Sequence, residues 1–167
     1  MKPLALITGV GPGTGASVAR RFAAAGYRTA LLARNEKRLN ALASELPDSK
    51  AIVCDVTDSE ALARAVEAAG PVDVVVHNAV GGGWGTFSEI EPEMLENNFQ
   101  VNVMALLHLA RLTTPSMVQA GKGALIVTGN TSALRGRAPF AGFAPTKAAQ
   151  RILAESMARE LGPKGVH

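Results

Sequence analysis

A chain of 167 residues, 47% of them hydrophobic, is long enough for one domain with a sizeable core and too short to expect two. Seventeen Lys and Arg against fourteen Asp and Glu leave a net charge of +3, and the basic residues are scattered, which suits an anionic small molecule and argues against nucleic acid. The single cysteine, Cys54, forbids an intrachain disulfide and points to a reducing, cytoplasmic setting; no run approaches the roughly 20 apolar residues of a membrane span, and the amino terminus lacks a signal-peptide pattern.

In chain order, strands are expected at Leu4 to Ile7, Thr29 to Ala33, Ala51 to Cys54, Val72 to Val76 and Ala124 to Val127. Helices are expected near Ala16 to Ala25, Glu36 to Leu46, Ser59 to Ala69, Glu93 to Gln119 and Pro145 to Leu161. Strands apolar on nearly every residue imply a sheet covered on both faces, and strict βα alternation makes it parallel and doubly wound, a three-layer α/β/α Rossmann arrangement. Asp58 reads as a helix N-cap, and Gly26, Gly70 and Gly162 fall where helices should stop. In the fourth helix Leu95, Phe99, Val103, Leu106 and Ala110 form a stripe expected to face the sheet. Cys54 is read as core, and Gly81-Gly82-Gly83-Trp84-Gly85 as a mobile loop.

Thr8-Gly9-Val10-Gly11-Pro12-Gly13-Thr14-Gly15 follows the first strand and opens a helix. Glycines there allow a tight turn and let backbone N–H groups approach a diphosphate, and the strand before and helix after make a dinucleotide site the better reading than a bare turn. Where the second strand ends, an acid would accept the 2′-hydroxyl of NAD, but the chain reads Leu31-Leu32-Ala33-Arg34-Asn35. A guanidinium suits a 2′-phosphate, which favours NADP(H) over NAD(H); the alternative is a surface arginine. A methyltransferase-type site would also want an acid here. No metal is called for.

These residues resemble the short-chain dehydrogenase/reductase family along the whole chain. Thr8-Gly9-x-x-x-Gly13-x-Gly15 matches the family's TGxxxGxG, and Asp55-Val56 looks like the pair placed beside the adenine, unless Asp55 merely starts a helix. Asn78-Ala79 is similar to the NNAG motif, with His77 and Val80 in place of its first Asn and its Gly. Gln100-Val101-Asn102-Val103 resembles the segment of the helix asparagine, and the resemblance implies that Asn102 opens the helix to hold a relay water; a polar helix edge is the plainer reading. The catalytic YxxxK corresponds to Phe143-Ala144-Pro145-Thr146-Lys147, with lysine present and tyrosine absent. The only tyrosine, Tyr27, precedes the second strand. In the family the tyrosine exchanges a proton with the substrate oxygen and the lysine grips the nicotinamide ribose. The family's serine falls on Asn130 without a gap, with Thr131 and Ser132 directly after it; one residue of slack would restore a hydroxyl, an asparagine amide can also donate there, and polar caps on a strand end are the plainer reading, so the three form one undecided site.

The resemblance implies an NADP(H)-dependent oxidoreductase acting on a small carbonyl or alcohol, with Asn102, Lys147 and the Asn130 to Ser132 group as its chemistry. The alternative is a dinucleotide-binding regulatory or scaffold protein without turnover. The chain is expected to be one incomplete domain, residues 1–167, lacking the last strands and weakly active or inactive alone. Its fifth strand is then expected to offer an open edge unless a partner covers it. A homodimer or homotetramer is expected through the fourth and last helices, with Ala148, Ile152, Leu153 and Met157 exceeding what a sheet face needs unless all of them face it.

Overall fold

A computed structural model describes residues 2–167. Five strands, β1 (Leu4–Thr8), β2 (Arg28–Ala33), β3 (Ser49–Val53), β4 (Val74–His77) and β5 (Ala124–Val127), alternate with helices α1 (Thr14–Ala24), α2 (Glu36–Glu45) and α3 (Ser59–Ala69), then α4 (Pro92–Phe99), α5 (Ala105–Ala120) and α6 (Ala144–Leu161). All strand pairs are parallel and the sheet order is β3-β2-β1-β4-β5. The chain winds outward from β1 to β3 and then crosses back to β4, so the winding reverses between β1 and β4. In open α/β sheets a ligand crevice lies outside the strand ends at such a reversal.

The side-chain period of two splits each central strand between two cores. Leu4, Leu6, Ala30, Leu32 and Val75 pack with Leu62, Ala65, Leu109, Met117 and Leu161 on the face covered by α3, α5 and the end of α6. Ala5, Ile7, Leu31, Val74 and Val76 pack with Ala16, Ala19, Leu39 and Leu42 of α1 and α2 on the other. Burial on both faces is why these strands read as continuous apolar runs. Asp58 caps α3 through the N–H groups of Glu60 and Ala61, Gly26 and Gly70 end helices at positive φ, and Cys54 is buried.

Four expectations need correction. The fourth helix is α4 and α5 joined by a π-turn over Gln100–Met104, and its buried face is not the expected stripe throughout. Leu106 and Ala110 are buried, but Phe99 is 40% exposed, while Asn98 and Asn102 are buried instead. The amino-terminal half faces inward with amides because they bond loop backbone, so hydropathy points to the wrong side there. Second, β3 runs over Ser49–Val53 rather than Ala51 to Cys54, because Ser49 and Lys50 already pair with Thr29 and Ala30; Gly162, by contrast, stands where α6 stops, as expected, with a 3₁₀ turn over Gly162–Lys164 after it.

Third, the glycine segment after β4 is tied rather than loose. The Gly81 amide and carbonyl both bond the Asn102 side chain, and Gly85 pairs with the segment before α6 by accepting from Ala141 N–H and donating to the Pro139 carbonyl. A Cβ on Gly81 or Gly83 would strike Asn98 or Met94. Fourth, the outer edge of β5 is not wholly open, because Val166 bridges Gly123 and Leu125 N–H donates to the His167 carbonyl at 2.6 Å.

Candidate functional site

The β1–α1 turn is shaped by two different demands. Gly9, at φ +68°, and Gly15 lie against the protein's own backbone: a Cβ on Gly9 would collide with Ala79 and one on Gly15 with the Gly9 carbonyl and Val10. A Cβ on Gly11 or Gly13 would meet nothing within 4 Å. The first pair closes helix and strand together, and the second faces open space. Gly11 N–H folds back on the Gly9 carbonyl and Ala16 N–H on the Gly11 carbonyl, while the N–H groups of Gly13, Thr14 and Gly15 have no partner among the described residues. Thr14 opens α1. Unpaired donors at a helix start, beside glycines that leave room, fit a diphosphate.

Arg34 leaves the end of β2 with its side chain 82% exposed, and its guanidinium lies 3.9 Å from the Asp55 carboxylate that follows β3. An exposed pair at that distance contributes little and leaves the guanidinium free for a stronger partner. The Asp55 carboxylate accepts from the N–H and hydroxyl of Thr57, whose N–H is the main reason that its pKa is lowered. Since Asp58 caps α3, Asp55 is not the helix-start acid. Val56 is buried among the core side chains.

Asn78 spends its side chain inside the protein: the amide N–H donates to the Gly9 carbonyl at 2.9 Å, and its oxygen accepts from the Thr128 hydroxyl at 2.9 Å. It fastens the glycine turn to the end of β5. Beside it, Ala79 N–H donates to the Thr8 hydroxyl, which lies 3.1 Å from His77 Nδ1, while His77 Nε2 lies 3.1 Å from the Val101 carbonyl. A carbonyl only accepts, so Nε2 carries the proton and Thr8 donates to Nδ1. Burial, the largest cause, pushes the His77 pKa down to about 4, and the imidazole is neutral near pH 7.

Asn102 is buried at the centre of the π-turn. Its side-chain oxygen accepts from Gly81 N–H, and its amide donates to the Gly81 carbonyl at 2.9 Å and the Thr146 hydroxyl at 2.8 Å. The helix is opened here, as the resemblance implied, and the Asn102 main-chain carbonyl accepts from the Gln150 amide at 2.8 Å. One helical turn separates Phe143 from Lys147 on α6, and the Phe143 ring lies over Gly82 with Trp84 beside it at 6.1 Å. Lys147 Nζ donates to the Thr128 carbonyl at 2.7 Å and to Gln150 Oε1, and burial lowers its pKa.

The three candidates after β5 separate. Asn130 uses its carbonyl oxygen to cap Ser132 N–H at 2.9 Å, Thr131 is exposed, and the Ser132 hydroxyl is buried without a partner among the described residues. Ser132 lines a small cavity of about 90 Å³ with Asn130, Thr131, Arg135, Arg137 and Phe140. Asn98 and Gln150 were not singled out from the sequence, and His77 and Thr146 were named only as members of a motif, without a role. The signal available was spacing, since Asn98 and Asn102, and Lys147 and Gln150, stand one helical turn apart on helices whose neighbours are apolar.

Residues 3–167 match the family model described as short chain dehydrogenase. The chain belongs to this family. Among its relatives, D-erythrulose reductase of Gallus gallus is 34% identical over 160 residues, covering 95% of this chain and 65% of that protein. L-xylulose reductase of Mesocricetus auratus is 32% identical over 160 residues, covering 95% and 66%. The chain therefore spans about 65% of the length of these curated relatives. The crystal structure of a metagenomic short-chain oxidoreductase in complex with NADP superposes with a TM-score of 0.92 at 30% identity, over 99% of this chain and 79% of that one. Among the described residues no helix is long and apolar enough to cross a membrane, and no three His, Cys, Asp or Glu side chains gather as a metal site.

Proposed function

We propose that this chain is the NADP(H)-binding part of an oxidoreductase acting on a small carbonyl or alcohol. The observation that carries the reading is the cradle formed by Gly11, Gly13 and the unpaired amides of Gly13 to Gly15, with the exposed Arg34 at the next strand end. The amides hold the diphosphate, Arg34 pairs with the 2′-phosphate, and Asp55 with Val56 borders the adenine. Asn78 and Ala79 act by keeping the glycine turn in place. Lys147 offers its remaining N–H to the nicotinamide ribose. NADP(H), when bound, gives or takes the hydride.

Of the group after β5, Ser132 is assigned to polarise the substrate oxygen, because its hydroxyl is a donor without a partner among the described residues and Ser132 lines the cavity there, while Asn130 is held in place as the cap of Ser132 N–H. Phe143 stands where the resemblance expects the tyrosine and supplies no proton, so turnover is slow unless substrate or water provides one. A second reading, nucleotide binding without turnover, rests on that same ring. The two relatives are named for reduction of erythrulose and xylulose, which makes small carbonyl compounds the first substrates to assay. A homodimer or homotetramer is supported by Ile152 on α6 and Leu112 on α5, 53% and 40% exposed. A cytoplasmic setting suits the buried free thiol of Cys54.

Calorimetric titration with both nucleotides tests the cofactor. NADPH is expected to bind at least about tenfold more tightly than NADH, the value of one charge-assisted contact. Arg34→Asp is expected to remove that preference; equal constants in the unmodified protein, or an unchanged preference in the variant, reject it.

A further inference from the structure

The amide of Gln150 faces two groups of opposite character, and its orientation is dictated by them. Its oxygen accepts from the Lys147 ammonium, and its nitrogen donates to the Asn102 carbonyl within the π-turn. A flipped amide would set donor against donor and acceptor against acceptor. All three residues are buried: Gln150 is 1% exposed, Lys147 3% and Asn102 0%. With the Thr128 carbonyl as its second acceptor, Nζ has two N–H bonds fixed and one left.

From this geometry we infer that Gln150 is a positioning residue that fixes the Lys147 ammonium for the cofactor ribose by tying it to the Asn102 carbonyl. The inference rests on the proposed ribose contact of Lys147. A side-chain amide thus stands at the helix opening to which the family resemblance assigned a relay water. Unlike a water, it does not readily pass a proton along, so Lys147 is held here as a fixed charge. The tie also explains why a lysine with no carboxylate partner among the described residues tolerates burial, since Gln150 Oε1 and the Thr128 carbonyl solvate the ammonium. The ionisable groups on neighbouring elements are Glu93 and Glu96 on α4, His108 and Arg111 on α5 and His77 on β4, and at His77 the Lys147 charge adds to burial in lowering the pKa. His77 is uncharged well above pH 4.

A double-mutant cycle on NADPH affinity tests this, with thermal melting as the check on folding. Gln150→Met is expected to weaken NADPH binding about tenfold in the unmodified chain and less than about twofold in Lys147→Met, the cycle isolating the term that passes through Lys147. A merely structural role would give the same loss in both backgrounds, and that result overturns the inference. If Lys147→Met alone leaves affinity unchanged, the ribose contact is what fails. Gln150→Leu, carried through the same cycle, covers the case in which Gln150→Met does not fold, and a loss that persists undiminished in Lys147→Met again overturns the inference.

Discussion

The two halves of the sheet treat their polar groups in opposite ways. On the β1 to β3 side the donors are little engaged: among the described residues the amides of Gly13 to Gly15 have no partner, and Arg34, met only by the Asp55 carboxylate at 3.9 Å, projects into solvent. On the β4 to α6 side nearly every buried polar side chain is already engaged, with Asn78, Asn98, Asn102, Lys147 and Gln150 each bonded to backbone or to one another. One half keeps donors in reserve for a ligand; the other spends them on holding loops and an ammonium in place. The Ser132 hydroxyl is the exception on that side. Binding needs unpaired donors, whereas a positioned reacting group needs neighbours that do not move.

The sharpest way to break this contrast is glycine substitution. Gly9→Ala places a methyl against the Ala79 backbone at positive φ, and is expected to cost about 4 kcal/mol or abolish folding, at the top of the range for single changes. Gly13→Ala meets no atom within 4 Å and is expected to leave the melting temperature within a few degrees while weakening NADPH binding at least about tenfold. Urea unfolding and calorimetry read the two effects; a destabilised Gly13→Ala with normal binding would erase the distinction.

The engaged half carries a pH signature. The His77 pKa is about 4 in the fold, against 6.5 in its ordinary state, so the unfolded chain binds the extra proton first as pH falls. Stability is therefore full above about pH 6.5 and lost progressively toward pH 4, by about 3 kcal/mol at 1.36 kcal/mol per unit. His77→Gln can keep the bond to the Val101 carbonyl without titrating, and its stability should not fall with the same steepness between pH 6.5 and 4.5. Parallel curves for the two proteins would place the acid sensitivity elsewhere.

The smallest expected effect is chemical. Phe143→Tyr adds a hydroxyl one helical turn before Lys147, and carbonyl reduction at saturating NADPH is expected to rise at least about tenfold, the low end of general-acid catalysis. Brisk turnover by the unmodified chain, unaltered by the tyrosine, would mean that another group supplies the proton.

The fold was legible because its signals are local. Apolar runs of four to six residues alternating with helical periods specify a parallel covered sheet, and Asp58, Gly26 and Gly70 mark helix ends through their own backbone chemistry. The glycine turn was legible for the same reason, but its division of labour was not: only the packing of Ala79 and Val10 against it shows that Gly9 and Gly15 serve the fold while Gly11 and Gly13 leave space.

On its own, then, the amino-acid order determined strand and helix positions to within a few residues, the glycine turn between β1 and α1, the place of Arg34 at the end of β2 and that of the lysine on the last helix. Tertiary structure alone decided which face of α4 turns inward, that Asn130 serves as a cap while Ser132 stays free, and that Gln150 joins Lys147 to Asn102 across 48 residues of sequence. The reason is physical: backbone propensity and apolar periodicity act over one or two turns, whereas the partner of a buried amide is set by whichever distant chain segment leaves a donor or acceptor unpaired beside it.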